Sequence, residues 1–486
     1  MKRAHLFLHC LCVSLVAACG GGGGSSAPPA TVTVTPQLAS VMVGQQIQLA
    51  ATTMNTMDTV TWSSSNTAVV TVNSTGLVMA VSLGQVTVTA TSGGGSGTAA
   101  LTTTTGIVFA SVSAGENHTC GVTPDGAAYC WGDNSSGQLG NGTTMNSAAP
   151  VAVSGALSFA SITAGANHTC GSTTSFVAYC WGDNSSGQLG NGSTTNSATP
   201  VAVTGGFQFT KLSAGTGYTC GVGNLLYCWG NNISGQFGNG SLTSSSVPVP
   251  AGVLLFANWA SVSAGSNHTC AGANFFPEQA FHYYCWGDNS SGQLGNGTTT
   301  NSAVPVFVTS SGLLGYIFST GTLYTCATGG PIVSGVLASS CWGANGSGQL
   351  GNGTTMNSAT PIAITGGLNF YTVSAGGQHA CGLVGTFPPN STFRPTTSVA
   401  YCWGNNSSGQ LGNGAMTSNT MPSAVAGSLN FSTVSAGGRH TCAVVLNNSI
   451  SPNAGAVYCW GDNTYGQLGN SWTTSNPIPV NVAGEP

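Results

Sequence analysis

Charged side chains are scarce in this sequence: only 3% of its 486 residues are Asp, Glu, Lys or Arg. Nucleic-acid binding needs clustered cations that displace counterions from phosphates, and five Lys and Arg residues in the whole chain cannot form such clusters. The same scarcity excludes electrostatic attraction to anionic membrane surfaces. Intrinsic disorder is excluded too, because it requires low hydrophobicity with high charge, whereas 41% of these residues are hydrophobic.

Helical periodicity and catalytic motifs are missing as well. No window shows apolar residues recurring at helical spacing, so we expect very little helix. The nucleophile elbow G-x-S-x-G, the zinc-protease motif H-E-x-x-H and the phosphate-binding loop are all absent. Nine acidic residues are too few for a convincing pair of catalytic carboxylates. We therefore predict a protein that is not an enzyme and that uses no cofactor.

Glycine, by contrast, is abundant. The 73 glycines, together with many Ser, Thr and Asn residues, favour short strands joined by tight turns. The composition therefore predicts an all-β fold.

The N-terminus has the pattern of an export signal. Lys2 and Arg3 precede a short apolar stretch at residues 6–16, which is too short to span a bilayer stably. The stretch ends in residues 16–20 (VAACG), which resemble a bacterial lipobox, in which the cysteine is lipidated and becomes the first residue. We expect a lipoprotein signal peptide at residues 1–18 and lipidation at Cys19. An ordinary signal peptide that happens to contain cysteine is the alternative.

The segment after the signal predicts where the mature protein is held. Residues 19–30 comprise the lipidated cysteine and a Gly/Ser/Pro tether that cannot pack a core. Position 20 is not Asp, and in lipoproteins of this type that implies the outer membrane. We therefore expect an exported protein, lipid-anchored at the cell envelope on the outer membrane or cell surface. Its contact with the membrane is predicted to be through the lipid anchor only.

Residues 31–104 form a second segment, which contains no cysteine. Polar and apolar residues alternate along it, as in Thr31-Val32-Thr33-Val34-Thr35, and this alternation predicts a β-sandwich with Trp62 in its core. The runs VTWSSSN, VTV and GLV resemble the group 2 bacterial immunoglobulin-like domain of surface adhesins. The resemblance implies a spacer or stalk, and an independent adhesive role is the alternative.

A single pattern is repeated from residue 105 to residue 486. Each copy reads FxSVSAGxxHTCG, a variable gap, YCWGDNSSGQLGNGTT and a Pro-Val-x-Val strand. The tryptophans of the seven copies are spaced by 50, 48, 57, 56, 61 and 57 residues. They are Trp131, Trp181, Trp229, Trp286, Trp342, Trp403 and Trp460. Periods of this length with four strands per copy predict a β-propeller of seven blades.

The repeat is similar to the regulator-of-chromosome-condensation repeat, which implies the same seven-bladed propeller. The residues of the first copy that carry the resemblance are Ala114-Gly115, His118, Tyr129, Trp131-Gly132, Asn134 and Gly137-Gln138-Leu139-Gly140. The strand at residues 479–482 is the last of the chain, and we predict that it completes the first blade and so closes the ring.

Fourteen of the 17 cysteines lie in the repeats, two per copy. The gap between the two varies from 8 to 21 residues while both flanks stay fixed, as expected for a disulfide that clamps two adjacent strands. Zinc would instead require a tight Cys-x-x-Cys spacing, which does not occur. Seven disulfides suit an oxidising compartment. The predicted pairs are Cys120/Cys130, Cys170/Cys180, Cys220/Cys228, Cys270/Cys285, Cys326/Cys341, Cys381/Cys402 and Cys442/Cys459.

Two repeated features invite a metal-site interpretation. His118, His168, His268, His379 and His440 occupy one repeat position, which Tyr218 and Tyr324 take in copies three and five. A residue repeated in nearly every blade is typical of a structural hydrogen bond. The loop Asp133-Asn134-Ser135-Ser136-Gly137 superficially resembles a calcium loop, but it lacks the bidentate Glu, so we expect a turn stabilised by Asn and Asp side chains. We predict no metal site.

Departures from the repeat mark candidate binding loops. The gaps between the two cysteines are longer in copies four to seven, and those of copies four and six are rich in aromatic residues. Aromatic residues and Arg anchor protein interfaces. The candidate binding residues are Phe275, Phe276, Phe281, His282, Phe387, Phe393 and Arg394. The alternative is that the aromatic side chains fold back onto their own blades.

Three functions are compatible with this organisation. The first is a monomeric, non-enzymatic scaffold for binding or adhesion at the cell envelope, with a protein or glycan ligand. The second follows from a resemblance to the type II β-lactamase inhibitor protein, an exported propeller with this repeat, and implies an inhibitor of an exported enzyme. The third, guanine-nucleotide exchange on a small GTPase, is implied by the eukaryotic members of the repeat family.

Overall fold

Every segment that the computed structural model describes is built from strands and connecting turns, with no helix. The described residues are 28–42, 46–104, 106–252, 257–275, 280–309, 317–328, 339–387, 395–446 and 454–482. In these ranges there is consequently no helix that could cross a membrane. The chain divides into two compact units at residues 105 and 106. The predicted signal peptide, Cys19 and most of the tether lie outside the described residues.

The first unit is an immunoglobulin-like arrangement of nine strands. Its strands are β1 (Thr31–Thr35), β2 (Leu38–Met42), β3 (Gln46–Gln48), β4 (Ala50–Met54), β5 (Thr61–Ser64), β6 (Val70–Val72), β7 (Leu77–Ala80), β8 (Gly84–Ser92) and β9 (Gly95–Thr104). They form a β2-β9-β8-β5 sheet, a β3-β7-β6 sheet and a β1-β4 pair. Alternate residues such as Val34, Val70 and Val88 face one core, against which Trp62 packs half-buried.

The second unit consists of seven four-stranded antiparallel sheets, the blades of a propeller. Blade one contains β10 (Ser111–Ala114), β11 (His118–Val122), β12 (Ala128–Gly132) and β13 (Ser147–Ala152). Blade two contains β14 (Phe159–Ala164), β15 (His168–Thr173), β16 (Ala178–Gly182) and β17 (Ser197–Ala202). Blade three contains β18 (Lys211–Ala214), β19 (Tyr218–Val222), β20 (Leu226–Gly230) and β21 (Ser245–Pro250).

The other four blades repeat this plan. Blade four contains β22 (Ala257–Ala264), β23 (His268–Phe275), β24 (Ala280–Gly287) and β25 (Ser302–Phe307). Blade five contains β26 (Ile317–Thr320), β27 (Tyr324–Thr328), β28 (Ser339–Gly343) and β29 (Ser358–Ala363). Blade six contains β30 (Phe370–Ala375), β31 (His379–Thr386), β32 (Thr397–Gly404) and β33 (Asn419–Ala424). Blade seven contains β34 (Phe431–Ala436), β35 (His440–Val445), β36 (Val457–Gly461) and β37 (Asn476–Asn481).

A disulfide joins the two middle strands of every blade. In blade one Cys120 and Cys130 are directly opposite each other, with their Cα atoms 4.0 Å apart. The other six blades have the same cross-strand pair, with Cα–Cα distances of 4.0–4.1 Å. These pairs are Cys170–Cys180, Cys220–Cys228, Cys270–Cys285, Cys326–Cys341, Cys381–Cys402 and Cys442–Cys459.

The repeated tryptophan packs between blades. Trp181 of blade two is fully buried against Cys120, Leu139 and Phe159, so that its ring covers the disulfide of the preceding blade. Its indole N–H donates to the backbone carbonyl of Gln138 in that blade, at 2.9 Å. All seven tryptophans make this bond, at 2.8–3.0 Å, and the bond of Trp131 to Gln467 joins blade one to blade seven. The hydrophobic core of the propeller is therefore a ring of interfaces between blades.

The predicted closure of the ring by the last strand is wrong. Residues 479–482 do not add to blade one, since β37 pairs with β36 inside blade seven. Blade one already has its fourth strand, β13, which follows β12 in sequence. Every blade is thus built from four consecutive strands, and hydrogen bonds and packing rather than a shared strand join the first blade to the last.

A ring of polar contacts performs this closure. In each blade a Ser or Thr hydroxyl of the first strand accepts the backbone N–H at the end of the first strand of the next blade, at 2.8–3.1 Å. The seventh of these bonds runs from Ala114 N to Ser435 Oγ and completes the circle. Phe109 N also donates to Gly455 O of blade seven, at 2.8 Å.

Candidate binding site

The turns of each blade emerge on two faces of the ring. Because the four strands alternate in direction, the loop between the two cysteines and the link to the next blade lie on one face, here called the hairpin face. The AGxxH turn and the GQLG loop lie on the other, here called the opposite face. The candidate residues that the structure describes, namely the backbone of Phe275 together with Phe281, His282 and Phe387, belong to the hairpin face.

The repeated histidines lie inside the propeller and bind neighbouring blades. Nε2 of His118 lies 2.8 Å from Oγ1 of Thr169 in blade two, and Thr169 donates onward to Gln138 O. The same bond is made between blades by the other four: His168 to Thr219, His268 to Thr325, His379 to Thr441 and His440 to Thr119. All five side chains are fully buried. The repeated histidine is therefore a structural residue in every blade that has it.

Burial also keeps these imidazoles neutral. It lowers the pKa of His118 and His379 to about 3, with a further lowering by neighbouring imidazoles. Burial lowers the pKa of the other three to about 4, although an Asp of the same blade acts in the opposite direction. A neutral, enclosed imidazole that holds a hydroxyl has no contact with solvent through which to catalyse a reaction.

The two tyrosines in this position preserve the connection in another way. Tyr218 donates from its hydroxyl to His268 O at 2.6 Å and lies 2.9 Å from Thr269 Oγ1. Tyr324 donates to His379 O, and the neighbouring blade there has Ala380 instead of the threonine. The longer tyrosine side chain thus reaches the backbone of the next blade in both cases, and at Tyr324 it does so where the threonine is absent.

The loop that superficially resembles a calcium site is stabilised by hydrogen bonds of its own side chains. Oδ1 of Asp133 accepts the backbone N–H of Ser135, and Oδ2 accepts the Ser135 hydroxyl and the Gln138 amide, the latter at 2.8 Å. The amide nitrogen of the adjacent Asn134 lies within hydrogen-bonding distance of four backbone or side-chain oxygens of the following loop. In the part of the chain that the structure describes, no three His, Cys, Asp or Glu residues are grouped to hold a metal ion.

The blade-four hairpin carries an exposed aromatic group. The strands β23 and β24 extend well past their disulfide, and alternate residues of β24 face opposite sides. His282 and Tyr284 share one side, where both rings contact Phe307 of β25, at centroid distances of 5.7 and 5.8 Å. Phe307 is 47% exposed, and the other two are half-buried. We call His282, Tyr284 and Phe307 the blade-four aromatic patch.

The other predicted residues of blade four are placed differently. Phe281 is half-buried: it packs edge-on to Tyr283 at 5.2 Å and covers Gly272, where a Cβ atom would lie 2.5 Å from its ring. Its ring therefore faces its own blade. The backbone of Phe275 ends β23, while its side chain and the whole of Phe276 are outside the described residues.

In blade six the described part of the loop also folds inward. The half-buried Phe387 lies edge-on to Tyr371 at a centroid distance of 5.4 Å. The Tyr371 hydroxyl lies 2.7 Å from Ser398 Oγ, so the aromatic pair is anchored on the blade. Tyr371 and Pro395 line a concavity of about 370 Å³ on the hairpin face. Phe393 and Arg394 lie outside the described residues.

The structure thus brings some candidate residues together and separates others. His282 joins an exposed patch, Phe281 and Phe387 pack on their own blades, and blade five separates the two loops along the ring. Tyr284 and Phe307 belong to the patch but were not predicted from the sequence. The signal existed for Phe307, because its position holds Ala152 in copy one and Ala202 in copy two.

Comparison with family models identifies the repeated unit. The regulator of chromosome condensation (RCC1) repeat matches residues 125–171, 177–222, 224–271, 282–314, 341–383, 399–444 and 454–486, more than half of the chain. The chain belongs to the RCC1-repeat family. The bacterial Ig-like domain (group 2) matches residues 29–103, ahead of the RCC1 repeats. The expected organisation of an Ig-like domain followed by a seven-bladed RCC1 propeller is confirmed.

Curated proteins with related RCC1 repeats differ widely from one another. The E3 ubiquitin-protein ligase HERC2 of Homo sapiens is 26% identical over 230 residues, which are 46% of this chain and 4% of that protein. The ultraviolet-B receptor UVR8 of Arabidopsis thaliana is 29% identical over 223 residues, which are 45% of this chain and 44% of that protein. The chain thus spans less than half of the length of these relatives.

Solved structures share the propeller fold. Prp20p from Saccharomyces cerevisiae is 19% identical, with a TM-score of 0.57 over 70% of this chain and 83% of its own. Human WBSCR16 is 19% identical, with a TM-score of 0.58 over 70% of this chain and 87% of its own. At these identities the similarity shows the fold alone.

Proposed function

We propose that this RCC1-repeat protein is an exported, non-enzymatic binding protein of the cell envelope, whose propeller presents its hairpin face to a protein or glycan ligand. One observation carries the proposal: the cysteines and histidines of the repeat, which could otherwise take part in catalysis or metal binding, have structural roles. The repeat cysteines form disulfides, and the repeat histidines are buried in bonds between blades. Ligand recognition is then assigned to the aromatic side chains that lie on the surface of individual blades.

The seven disulfides support export. Cytosolic thiols are kept reduced, whereas cross-strand disulfides persist in oxidising compartments such as the periplasm and the cell surface. Each closes a loop of the chain and stabilises the fold by about 2.6–3.4 kcal/mol in the chain-entropy model, depending on the length of the loop. Such a scaffold suits a protein that must stay folded outside the cytoplasm.

The lipid anchor and the Ig-like spacer complete the proposal. Cys19 is the lipidation site, residues 19–30 form the tether, and the Ig-like unit holds the propeller away from the membrane. Metabolic labelling with a fatty acid tests this step. We expect label in the wild-type protein and in the Cys12→Ser control, whose change lies within the signal peptide, and none in Cys19→Ser. Label retained by Cys19→Ser would contradict the proposed anchor.

A second candidate function is inhibition of an exported enzyme. The blade-four aromatic patch favours it, since exposed aromatic residues commonly anchor protein partners. Capture by the immobilised propeller of purified periplasmic and secreted enzymes, followed by activity assays, distinguishes the two functions. Stoichiometric loss of an enzyme's activity would support inhibition, whereas binding without inhibition would support a scaffold.

Nucleotide exchange is the third candidate. Yeast Prp20p has binding properties towards Gsp1p and histones, and both are properties of that protein. The present chain has few cations for a histone–DNA environment, and its disulfides suit a compartment without cytosolic GTPases. We expect no acceleration of nucleotide release from a small GTPase. Acceleration at substoichiometric propeller would overturn this expectation.

A further inference from the structure

The AGxxH turns on the opposite face of the ring differ from blade to blade near the axis. Two residues separate the Ala-Gly pair, which is Thr320-Gly321 in copy five, from the His or Tyr position of each turn. Copies two and four have Ala166-Asn167 and Ser266-Asn267, whereas copies six and seven have Gly377-Gln378 and Gly438-Arg439. A small residue followed by a long polar one therefore occurs twice in succession around the ring.

The two glycines form the floor of a pocket. A Cβ atom on Gly377 would lie 2.5 Å from the Gly438 carbonyl oxygen, and one on Gly438 would lie 2.7 Å from Cδ of Glu116. Neither position tolerates a side chain, so the backbones of blades six and seven and the Glu116 side chain of blade one approach closely. Above them lies a concavity of about 420 Å³, within the size range of small-molecule sites. We call it the axial pocket.

Arg439 supplies a positively charged wall. One terminal nitrogen of its guanidinium donates to Oγ of the buried Ser408, at 3.0 Å. A guanidinium carries five N–H donors in a fixed fork, so the others remain for a ligand, and they match the two oxygens of a carboxylate. Arg439 is one of three cations outside the predicted signal peptide, and its place in a pocket is therefore distinctive.

Glu116 supplies the opposite charge from across the seam between blades seven and one. Its carboxyl group rests over Gly438 and lines the same pocket. Although Glu116 is exposed as a residue, partial desolvation of its carboxyl raises the pKa, and the charge of Arg439 lowers it, so the two charges interact. No direct ion pair between them occurs among the described contacts. Each group can therefore receive an opposite charge from a ligand.

Two amides form the third wall. Nδ2 of Asn405 donates to Oε1 of Gln378, at 3.1 Å. This bond holds Gln378 by its oxygen and orients its NH₂ group as a donor, while the backbone N–H of Ser407 fixes Asn405 through Oδ1, at 2.9 Å. The axial pocket thus combines one cation, one anion and amide donors within one small volume.

The geometry points to an α-amino-acid zwitterion as the ligand of the axial pocket, with its carboxylate on Arg439, its ammonium on Glu116 and its polar groups on Gln378. The carboxylate and the ammonium of such a ligand lie a few atoms apart. They therefore match Arg439 and Glu116, two opposite charges that line the same pocket without forming a direct ion pair. The site lies on the face opposite the hairpin loops, and so it neither rests on the proposed envelope function nor shares its residues.

Calorimetric titration of the propeller-containing full chain tests this assignment. The probes are free amino acids, their N-acetyl derivatives, which lack the ammonium, and their amides, which lack the carboxylate. We expect saturable binding of at least one free amino acid, and at least about tenfold weaker binding of both of its derivatives. A neutral trisaccharide is titrated as well, as a ligand that fits the pocket by size but carries no charge.

Substitutions assign the binding to this pocket. Arg439→Gln and Glu116→Gln are expected to weaken binding by at least about tenfold, because each leaves one charge of the ligand unpaired. Lys211→Gln, which removes an exposed cation at the start of β18, is the matched control and should bind as the wild type does. Unchanged unfolding temperatures establish that the variants are folded. Binding that survives both pocket substitutions, preference for the trisaccharide, or no binding of any amino acid at about 10 mM would each overturn the assignment.

Discussion

His440 of blade seven binds Thr119 of blade one, with Nε2 and Oγ1 2.8 Å apart, and this contact helps to join the ends of the propeller. The Thr119 hydroxyl also donates to Gln467 O, at 3.1 Å, so it connects two groups of the last blade. Both partners are fully buried. A ring that lacks a shared strand depends on such contacts at the seam between its first and last blades.

Removal of the Thr119 hydroxyl is therefore expected to weaken the closure. Thr119→Val retains the shape of the side chain but leaves His440 Nε2 without its partner, and an unsatisfied buried group costs about 1–3 kcal/mol. Urea unfolding measures the free energy of unfolding. Thr144→Val, an exposed position in the same blade, is the matched control. Equal stability of both variants would mean that the seam is held in some other way.

The buried imidazoles predict that stability depends on pH. An unfolded histidine titrates near 6.5, and burial lowers the folded-state pKa of all five to between about 3 and about 4. Between these pH values the unfolded chain binds more protons than the folded chain. The free energy of unfolding is therefore highest above pH 6.5, as far as the histidines are concerned, and falls as the pH drops below that value. Each histidine contributes a slope of up to about 1.4 kcal/mol per pH unit.

Two reciprocal substitutions test this dependence. His268→Tyr copies the arrangement of Tyr218 and removes one titrating group, so the slope below pH 6.5 should decrease by about one proton. Tyr218→His adds a group opposite Thr269 and should increase the slope by a similar amount. Urea midpoints measured from pH 4 to pH 8 give both slopes. Identical slopes in the two variants would be incompatible with buried neutral imidazoles.

We expect a disulfide that closes a longer loop to stabilise the fold more than one that closes a shorter loop. The Cys220–Cys228 pair is separated by 8 residues and the Cys381–Cys402 pair by 21. In the chain-entropy model, replacing the first pair with alanines costs about 2.6 kcal/mol and replacing the second about 3.4 kcal/mol. Because both pairs are equally buried, the difference isolates loop closure. Urea unfolding of the two double variants measures it, and the reverse order would refute the entropic account.

The blade-four aromatic patch predicts a selective loss of binding. Phe307→Ser should lower ligand capture by at least about tenfold, as expected for an aromatic anchor of an interface. Its stability should change little, since the side chain is 47% exposed. Val304→Ser is the matched control, because Val304 is 51% exposed on the same strand. The measurement is the yield of cross-linked ligand per folded propeller; equal loss in both variants would contradict the role of the patch.

Local features of the sequence predicted most of the fold. The repeat spacing gave the number of blades, and the alternation around Trp62 gave the Ig-like unit. Both depend on contacts between residues close in sequence, or on a pattern that every copy repeats. Closure was predicted wrongly, because a count of strands cannot tell which sheet receives the strand at residues 479–482. That choice depends on how blade one meets blade seven, which no single repeat encodes.

The sites were harder to predict, because symmetry conceals them. Phe281 and Phe387 were chosen as aromatic loop residues, yet their rings pack on Tyr283 and Tyr371. Conversely, the axial pocket depends on Glu116 and Arg439, which are 323 positions apart in the chain and adjacent only once the ring has closed. Residue type predicts which side chains can bind, whereas their orientation and neighbours decide which of them do.

Cell-surface cross-linking with mass spectrometry tests the central claim, binding at the cell envelope through the hairpin face, most directly. The wild type is compared with variants in which the copy-four and copy-six loops are trimmed to the length of copy one. A variant with residues 447–453 removed is the control, because that copy-seven segment contains no aromatic residue. We predict that the aromatic-loop variants lose specific cross-linked partners while the control retains them. An unchanged set of partners after trimming both loops would contradict the account.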